Sequence, residues 1–334
     1  MKQPYRMMKT LKYAAIAFAG LVSATMLSCG STQTGDYHKG AAVVACDATF
    51  QTVLEQEIEV FEYKYPGSNV LDLYVDESAA IDSLLNLKNN VRLAVASRPL
   101  DKEEIKYLND HKRTVNQEAI AVDAVALIVN PDNPMEFIDN QDLIDILTGK
   151  YTTWDKIVPG GGDLGKIVVA FDHQGSSATR YMRDSLLCGQ PFGKDVYAQK
   201  SPRDVIDLVA KNKSAIGVIG VSWLASDLSG ASMSADELSR ISDVDATSQL
   251  AEFTKDVKIL AVQPKDKLEA YAPSQYNIYM GNYPYYRQIY LISTSAPSTV
   301  GHSFYTFVTG AVGQKVILST GVCPKLISTQ FVEL

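Results

Sequence analysis

Residues 171–184 have the sequence FDHQGSSATRYMRD. Several small hydrogen-bond donors and an arginine, Arg180, lie here between a predicted strand and a predicted helix. Ala178, Tyr181 and Met182 recur at helical spacing, so we predict that Ser176 is the N-cap of that helix. The first N–H groups of a helix have no intrahelical partners, and they carry a partial positive charge. This stretch therefore indicates a binding site for a small anion.

Two earlier parts of the chain share this design, in which a strand is followed by a short turn with a hydroxyl and then by a helix. The three turns are Ala48-Thr49-Phe50, Glu77-Ser78-Ala79 and Gly175-Ser176-Ser177-Ala178-Thr179. One serine or threonine at the start of a helix is typical of a simple cap. Three such turns favour a common ligand, because converging helix N-termini can hold an anion without a basic surface.

The charge of the chain excludes several classes of partner. The formal net charge is −7, and residues 1–28 contain four basic and no acidic side chains, so the remainder has a net charge of −11. Such a protein has no general electrostatic attraction to nucleic acid or to an anionic membrane surface. Any bound anion must therefore be held by local donors.

The N-terminus has the features of an export signal. Four basic residues precede an apolar run from Ala14 to Leu27 that is too short to span a bilayer comfortably. The segment MLSCG resembles a bacterial lipobox, so we expect a lipoprotein signal peptide at 1–28 and lipidation of Cys29. A plain secretory signal and a retained membrane anchor are the alternatives. Residues 29–40 are polar and glycine-rich, which is typical of a flexible tether.

Strand and helix patterns alternate along the rest of the chain. Apolar strand patterns such as AAVVA at 41–45 and IVVAF at 167–171 are followed by residues at helical spacing, and a helix from about Ser298 to Ser319 closes the chain. This alternation predicts an α/β fold with mostly parallel sheets. The length exceeds what one core usually holds, so two domains are expected.

Several stretches, taken in order, resemble one known family. They are DATFQ, VASRPLDKEE, AIAVDAVALIVNPDNP, LIDILTGKYTTW, GSSATRYM, AIGVIGV, GNYPYYRQIYL and the final GVCP. The chain after the signal is similar to periplasmic phosphate-binding proteins of the PstS type, the solute receptors of phosphate ABC importers. The resemblance implies a two-lobed periplasmic-binding-protein-like fold (type II) with the ligand cleft between the lobes and two crossover strands. We expect lobe 1 at 41–122 and 286–334, and lobe 2, inserted, at 123–285.

The resemblance also implies which residues contact phosphate. They are Thr49, Phe50, Ser78, Ser97, Arg98, Ser176, Ser177, Ala178, Thr179 and Arg180. Three positions depart from the family pattern: Ala178 stands where a ligand threonine is usual, Asp172 where several members have an arginine, and Arg98 where they have an acid. We therefore expect Arg98 to supply the cation, with Arg180 as the second candidate.

Selectivity for phosphate over sulfate requires an acidic acceptor. Monoprotonated phosphate can donate a hydrogen bond and sulfate cannot, so a buried carboxylate favours phosphate. The candidate proton acceptors are Asp47, Glu77 and Asp172. Asp47 is slightly preferred because it directly precedes the first turn.

Enzymatic and metal chemistry have little support in the sequence. The segment GSSAT lacks the G-x-S-x-G pattern of a nucleophile elbow, and of the four histidines only His173 lies near the serines. Scattered histidines and the lack of a CxxC motif argue against a metal site. One disulfide plus a free thiol among Cys46, Cys188 and Cys323 is an open alternative, since spacing does not identify the pair.

Together these expectations describe a lipid-anchored, high-affinity phosphate receptor on the periplasmic face of the bacterial envelope. The resemblance implies that it delivers inorganic phosphate to the membrane subunits of an ABC permease. We expect a monomer without a cofactor. The alternatives are a receptor for another oxyanion such as sulfate or molybdate, a phosphate sensor, and a surface scaffold without a transport role.

Overall fold

The computed structural model describes residues 37–224 and 254–325. The predicted signal peptide at 1–28 and the predicted lipidation site Cys29 lie outside the described residues. Among the described residues no helix is both long enough and apolar enough to cross a membrane.

The described strands and helices alternate through most of the chain. The strands are β1 (Gly40–Asp47), β2 (Ser68–Val75), β3 (Val91–Ala96), β4 (Asn116–Val129), β5 (Phe137–Asp139), β6 (Val168–Phe171), β7 (Val196–Ala198), β8 (Ala215–Gly220), β9 (Lys258–Ile259), β10 (Ala261–Gln263), β11 (Tyr286–Ser293) and β12 (Cys323–Pro324). The helices are α1 (Gln51–Lys64), α2 (Glu77–Leu85), α3 (Lys102–Asp110), α4 (Asn140–Leu147), α5 (Ser177–Tyr181), α6 (Pro202–Lys211), α7 (Gln275–Tyr279), α8 (Val300–Thr309) and α9 (Ala311–Ser319).

Most of these strands form one curled sheet with the order β2-β1-β3-β11-β4-β8-β6-β7, and β9 and β12 add to β4. At one end β1 pairs in parallel with β2 and β3, and at the other end β6 pairs in parallel with β7 and β8. Between them β4 and β11 run antiparallel. The structure confirms the predicted α/β class, but the sheet is not mostly parallel as expected, because β4 and β11 pair antiparallel with all of their neighbours.

Strand β4 joins the two ends of the sheet. It pairs with β11 over residues 116–124 and with β8 over residues 125–129. Asp123 of β4 lies opposite Arg287 of β11, next to the point where β4 changes partners. Strands β4 and β11 thus lie where the sheet passes from one half to the other, which is the position expected of the two crossover strands. The lobe boundaries themselves stay a prediction.

The start and the end of the described chain pack together. Phe61 of α1 contacts Phe304 and Phe307 of α8, with ring centroids 5.2 and 5.3 Å apart. His38 stacks on Tyr65 at 3.9 Å between centroids. The last residues of the predicted tether therefore lie on the folded body.

Two further expectations differ from the structure. The closing helix is not continuous: α8 and α9 are separated at Gly310, whose extended backbone (φ −87°, ψ 174°) interrupts the helical hydrogen bonds. The open alternative of a disulfide among Cys46, Cys188 and Cys323 is also not found, because these three described cysteines are free thiols.

Candidate functional site

The turn after β1 is built around the buried carboxyl group of Asp47. Its Oδ1 accepts hydrogen bonds from the backbone N–H of Thr49 at 3.1 Å and from Thr49 Oγ1 at 3.0 Å. Phe50, the next residue, is fully buried and anchors the turn in the core. Asp47 thus caps the short 3-10 helix Ala48–Phe50 and orients the hydroxyl of Thr49.

The turn after β6 places Ser176 at the N-cap of α5, which confirms that prediction. Ser176 Oγ accepts a hydrogen bond from the N–H of Thr179 at 3.1 Å, and it donates to Oδ1 of Asp172. Gly175 has φ +92°, a conformation that other residues rarely adopt, so the tight approach to the cap depends on glycine.

Donors from these two turns converge on the carboxylate of Asp172. Thr49 Oγ1 lies 3.1 Å from Asp172 Oδ2, and Ser176 Oγ contacts the other oxygen. In the opposite direction, the N–H of Ser177 donates to Asp47 Oδ2 at 3.3 Å. All five residues are buried. The structure therefore brings the first and third predicted turns together around two buried carboxyl groups.

The hydroxyl of Thr49 has one proton, yet it lies within hydrogen-bonding distance of the carboxyl groups of both Asp47 and Asp172. Since a hydroxyl donates one hydrogen bond, both contacts are hydrogen bonds when one of the two carboxyl groups is protonated. Burial raises the pKa of Asp47, and the positive charge of Arg287 opposes this effect. This raised pKa favours Asp47 as the carboxyl group that holds the shared proton.

Glu77 joins the turns after β2 and β3 to helix α5. Ser97 donates to Glu77 Oε1 through its N–H at 2.8 Å and its hydroxyl at 2.6 Å. Arg180 donates through Nε to Glu77 Oε2 at 2.6 Å and through Nη2 to Ser97 Oγ at 2.7 Å. Burial alone would raise the pKa of Glu77, but the hydrogen bonds from Arg180 and Ser97 lower it overall. These three residues form a bridge between the two halves of the sheet.

The second predicted turn reaches the third segment through Glu77 and the preceding Asp76, and not through Ser78. Helix α2 begins at Glu77 with Asp76 at the N-cap position, and Ser78 is exposed on its first turn. A Cβ on Gly175 would lie 3.2 Å from Asp76 Oδ2. His173 Nε2 lies 3.3 Å from Asp76 Oδ1. Ser78 therefore lies at the edge of the site.

The structure does not bring Arg98 to the converging hydroxyls. Its guanidinium donates to both carboxylate oxygens of Glu104 at 2.8 Å, and its side chain is 38% exposed. The hydroxyl of Thr179, by contrast, lies 3.0 Å from Ser176 Oγ, and it donates to the backbone oxygen of His173 at 3.3 Å. Ala178 is buried on the first turn of α5.

Arg287 and Asp123 form a buried ion pair that the sequence analysis did not single out. Arg287 Nη2 donates to Asp123 Oδ2 at 2.9 Å, and the guanidinium carbon lies 4.9 Å from the centroid of the Phe50 ring. Asp123 Oδ1 accepts the N–H of Val221 at 3.1 Å. An arginine inside the apolar strand YRQIYLIS was the available signal, because a buried charge requires a partner.

Two polar side chains at the site have unused donors. Ser177 Oγ and the Nε and Nη1 atoms of Arg287 are buried and have no hydrogen-bond partner among the described residues. Since buried polar groups in proteins are nearly always hydrogen-bonded, these donors are suited to a bound oxyanion or to ordered water. In the same part of the chain, no group of histidine, cysteine and acidic side chains is arranged to hold a metal ion.

Comparison with known proteins identifies the family. A family model described as a PBP superfamily domain matches residues 31–312. The chain belongs to the PBP superfamily.

Two curated relatives share the PstS name. The phosphate-binding protein PstS of Pseudomonas aeruginosa is 23% identical over 341 residues, which cover 96% of this chain and 94% of the relative. The protein of the same name from Staphylococcus epidermidis is 27% identical over 229 residues, which cover 68% and 66%. These similarities confirm the PstS-type resemblance.

Two solved structures share the fold. A Clostridium perfringens protein crystallised with bound phosphate matches with a TM-score of 0.65 and 22% identity, covering 86% of this chain and all of the other. An ABC-type phosphate transport receptor from Vibrio cholerae matches with a TM-score of 0.58 and 20% identity, covering 85% and 100%. The predicted two-lobed PBP fold is thereby confirmed.

Proposed function

We propose that this chain is the substrate-binding protein of an ABC phosphate importer and that it binds inorganic phosphate between its two lobes. The observation that carries the proposal is the convergence of the Thr49 and Ser176 hydroxyls, from the two halves of the sheet, on one buried carboxyl group. Donors gathered in this way suit an oxyanion. The relatives named as phosphate-binding proteins support phosphate as that oxyanion.

In the proposed complex, phosphate receives hydrogen bonds from both lobes. Thr49, Ser176 and Ser177 supply hydroxyls, and the buried first turns supply backbone N–H groups at Phe50 and Ala178, as the family resemblance implies. Each hydrogen bond to a charged group contributes about 1.5–3 kcal/mol. A few of them, after ordering costs, are sufficient for the roughly −8 kcal/mol of micromolar affinity.

Asp172 is the proposed acceptor of the phosphate proton. Of the other two candidates, Glu77 already accepts from Arg180 and Ser97, and Asp47 is assigned the proton that it shares through Thr49. An ionised Asp172 accepts a hydrogen bond from monoprotonated phosphate and repels sulfate, which has no proton to donate.

The remaining parts of the proposal concern the cell envelope. We propose that the protein has no catalytic role, that Cys29 carries the lipid, and that the protein faces the periplasm as a monomer. Incorporation of a labelled fatty acid into the full chain in cells tests the anchor. Label in the wild type and none in Cys29→Ser is the expected result, whereas equal label in both excludes lipidation at Cys29.

Calorimetric titration of the mature protein with inorganic phosphate, and separately with sulfate, tests the function. We expect one phosphate per chain with micromolar or tighter affinity and no measurable sulfate binding. Binding of sulfate or molybdate in preference to phosphate would indicate a receptor for another oxyanion. The lack of any heat with these anions would favour the surface scaffold.

A further inference from the structure

We propose, on the basis of the phosphate-binding function above, that Arg287 is the cation of the anion site and that its unused guanidinium donors bind phosphate oxygens. No other arginine near the site is both buried and incompletely hydrogen-bonded among the described residues.

The position of Arg287 suits this role. It lies on β11 directly opposite Asp123 of β4, one residue from the end of the β4–β11 pairing. Beyond that point β4 pairs with β8, so Arg287 marks the place where the sheet passes from one lobe to the other. A residue there forms the floor of an interlobe cleft and stays in place while the lobes close around a ligand.

The contacts of Arg287 leave part of its guanidinium unused. The side chain is 3% exposed, Nη2 donates to Asp123, and the guanidinium lies on the ring of Phe50. Nε and Nη1 are buried without a partner among the described residues. An arginine has five N–H donors in a rigid planar fork. With Nη2 on Asp123, the unused Nε and Nη1 lie on different edges of the plane, so each of them can donate to a separate acceptor oxygen. Asp123 therefore holds the fork in place, and the unused donors remain for a ligand.

Arg287 is adjacent to the residues that the proposed function places around phosphate. A Cβ on Gly220 would lie 3.4 Å from Arg287 Nη2 and 3.5 Å from Thr49 Cγ2, so both side chains border the same small space. The same atom would lie 2.8 Å from Asp123 Oδ2, too close for any side chain at position 220. The charge of Arg287 also acts on Asp47.

The two arginines predicted from the sequence differ from Arg287 in their access to water. Arg98 is paired with Glu104, and Arg180 is paired with Glu77 and Ser97. Each of these two side chains is 38% exposed, so its remaining donors can be satisfied by solvent. The donors of Arg287 have no such access. Arg287 thus replaces the arginine that the family resemblance places at the position of Asp172.

The test compares phosphate affinity in folded variants by calorimetry with inorganic phosphate. Arg287→Lys keeps the charge and loses the fork, and Arg287→Gln combined with Asp123→Asn removes both buried charges together. We expect the lysine variant to bind phosphate at least about 10-fold more weakly than the wild type. The double variant should bind it about 100-fold more weakly, because charge-assisted hydrogen bonds to the ligand are lost. Arg98→Gln is the control and should retain wild-type affinity.

A second measurement separates ligand binding from a structural role. Thermal unfolding with and without phosphate should show that each variant folds but gains a smaller upward shift from phosphate than the wild type. If the variants fold and match the wild type in phosphate affinity and in the phosphate-induced rise in unfolding temperature, the inference about Arg287 is overturned. The proposed phosphate-binding function would then still stand. If the double variant does not fold, Arg287→Lys decides. A wild-type protein that does not bind phosphate overturns the proposed function, and this inference with it.

Discussion

The hydroxyl of Thr49 lies 3.1 Å from the carboxylate of Asp172, although 123 residues separate the two in the sequence. Thr49 follows β1 in one half of the sheet, and Asp172 follows β6 in the other. Since Ser176 donates to the same carboxyl group, this contact defines a point at which both halves of the sheet offer hydroxyl donors. We propose that phosphate binds beside Asp172 and competes with it for these two hydroxyl hydrogen bonds.

Loss of the Thr49 hydroxyl should weaken phosphate binding. Thr49→Val keeps the shape of the side chain and removes one donor to a charged ligand, which corresponds to about 1.5–3 kcal/mol or roughly 10- to 150-fold in affinity. Thr306→Val is a matched control, because that hydroxyl bonds the backbone oxygen of His302 on α8. Equal affinities of wild type and Thr49→Val in calorimetry would remove Thr49 from the site.

Replacing Asp172 should change selectivity. Asp172→Asn supplies an amide donor where the wild type has an acceptor, so sulfate is no longer repelled. We expect sulfate affinity to rise at least tenfold relative to phosphate, measured by competition between the two anions. Asp47→Asn is the comparison variant and should leave sulfate excluded. Relaxed selectivity in Asp47→Asn alone would make Asp47 the acceptor, as the sequence first suggested.

Phosphate affinity should fall with rising pH because of Asp47. Burial raises the pKa of Asp47 above the usual 3.8. Below that raised pKa Asp47 is protonated, and above it the negative charge of Asp47 opposes binding of the anion. Asp47→Asn cannot gain this charge. The ratio of wild-type Kd to variant Kd should therefore increase as the pH rises through the raised pKa of Asp47, while the ionisation of phosphate affects both proteins equally and cancels in the ratio. A constant ratio contradicts the assignment of the shared proton.

Glu57 should make stability pH-dependent. It is 1% exposed in the core behind Phe50, both carboxyl oxygens lack partners among the described residues, and burial raises its pKa well above the usual 4.5. The folded state therefore binds this proton more tightly than the unfolded state. The stabilisation from this bound proton is complete below pH 4.5 and is lost as the pH rises through the pKa of Glu57 in the folded state.

Glu57→Leu should remove this dependence and raise the free energy of unfolding at about pH 8 by roughly 1–3 kcal/mol, the cost of an unpaired buried polar group. Denaturant unfolding at acidic and alkaline pH measures the free energy of unfolding of both proteins. Glu55→Leu on the same helix is the control, with an expected change within about 0.5 kcal/mol. An identical pH profile for wild type and Glu57→Leu would show that Glu57 is ionised or solvated.

The sequence was sufficient for features that depend on neighbouring residues. Ser176 is recognisable as an N-cap because the helical spacing of Ala178, Tyr181 and Met182 follows it directly. The α/β class follows in the same way from alternating apolar patterns. Gly310, by contrast, divides the closing helix although the apolar pattern continues through it.

The partners of charged residues could not be predicted, because they depend on contacts between distant segments. Arg98 is adjacent to Ser97 in the sequence, yet Glu104 holds it away from the site. Arg180 pairs with Glu77, which lies 103 residues earlier. Arg287 faces Asp123 only because β4 and β11 pair in one register. All three arginines have the charge and the donors that an anion site requires. Only the tertiary structure shows which of them has donors left for a ligand.

A crystal structure of the mature protein grown with inorganic phosphate tests the central claim most directly. The account predicts one phosphate between the lobes, with oxygens within hydrogen-bonding distance of the Thr49, Ser176 and Ser177 hydroxyls. A phosphate bound elsewhere, or a closed protein in which the hydroxyls of Thr49 and Ser176 share no ligand, would contradict it.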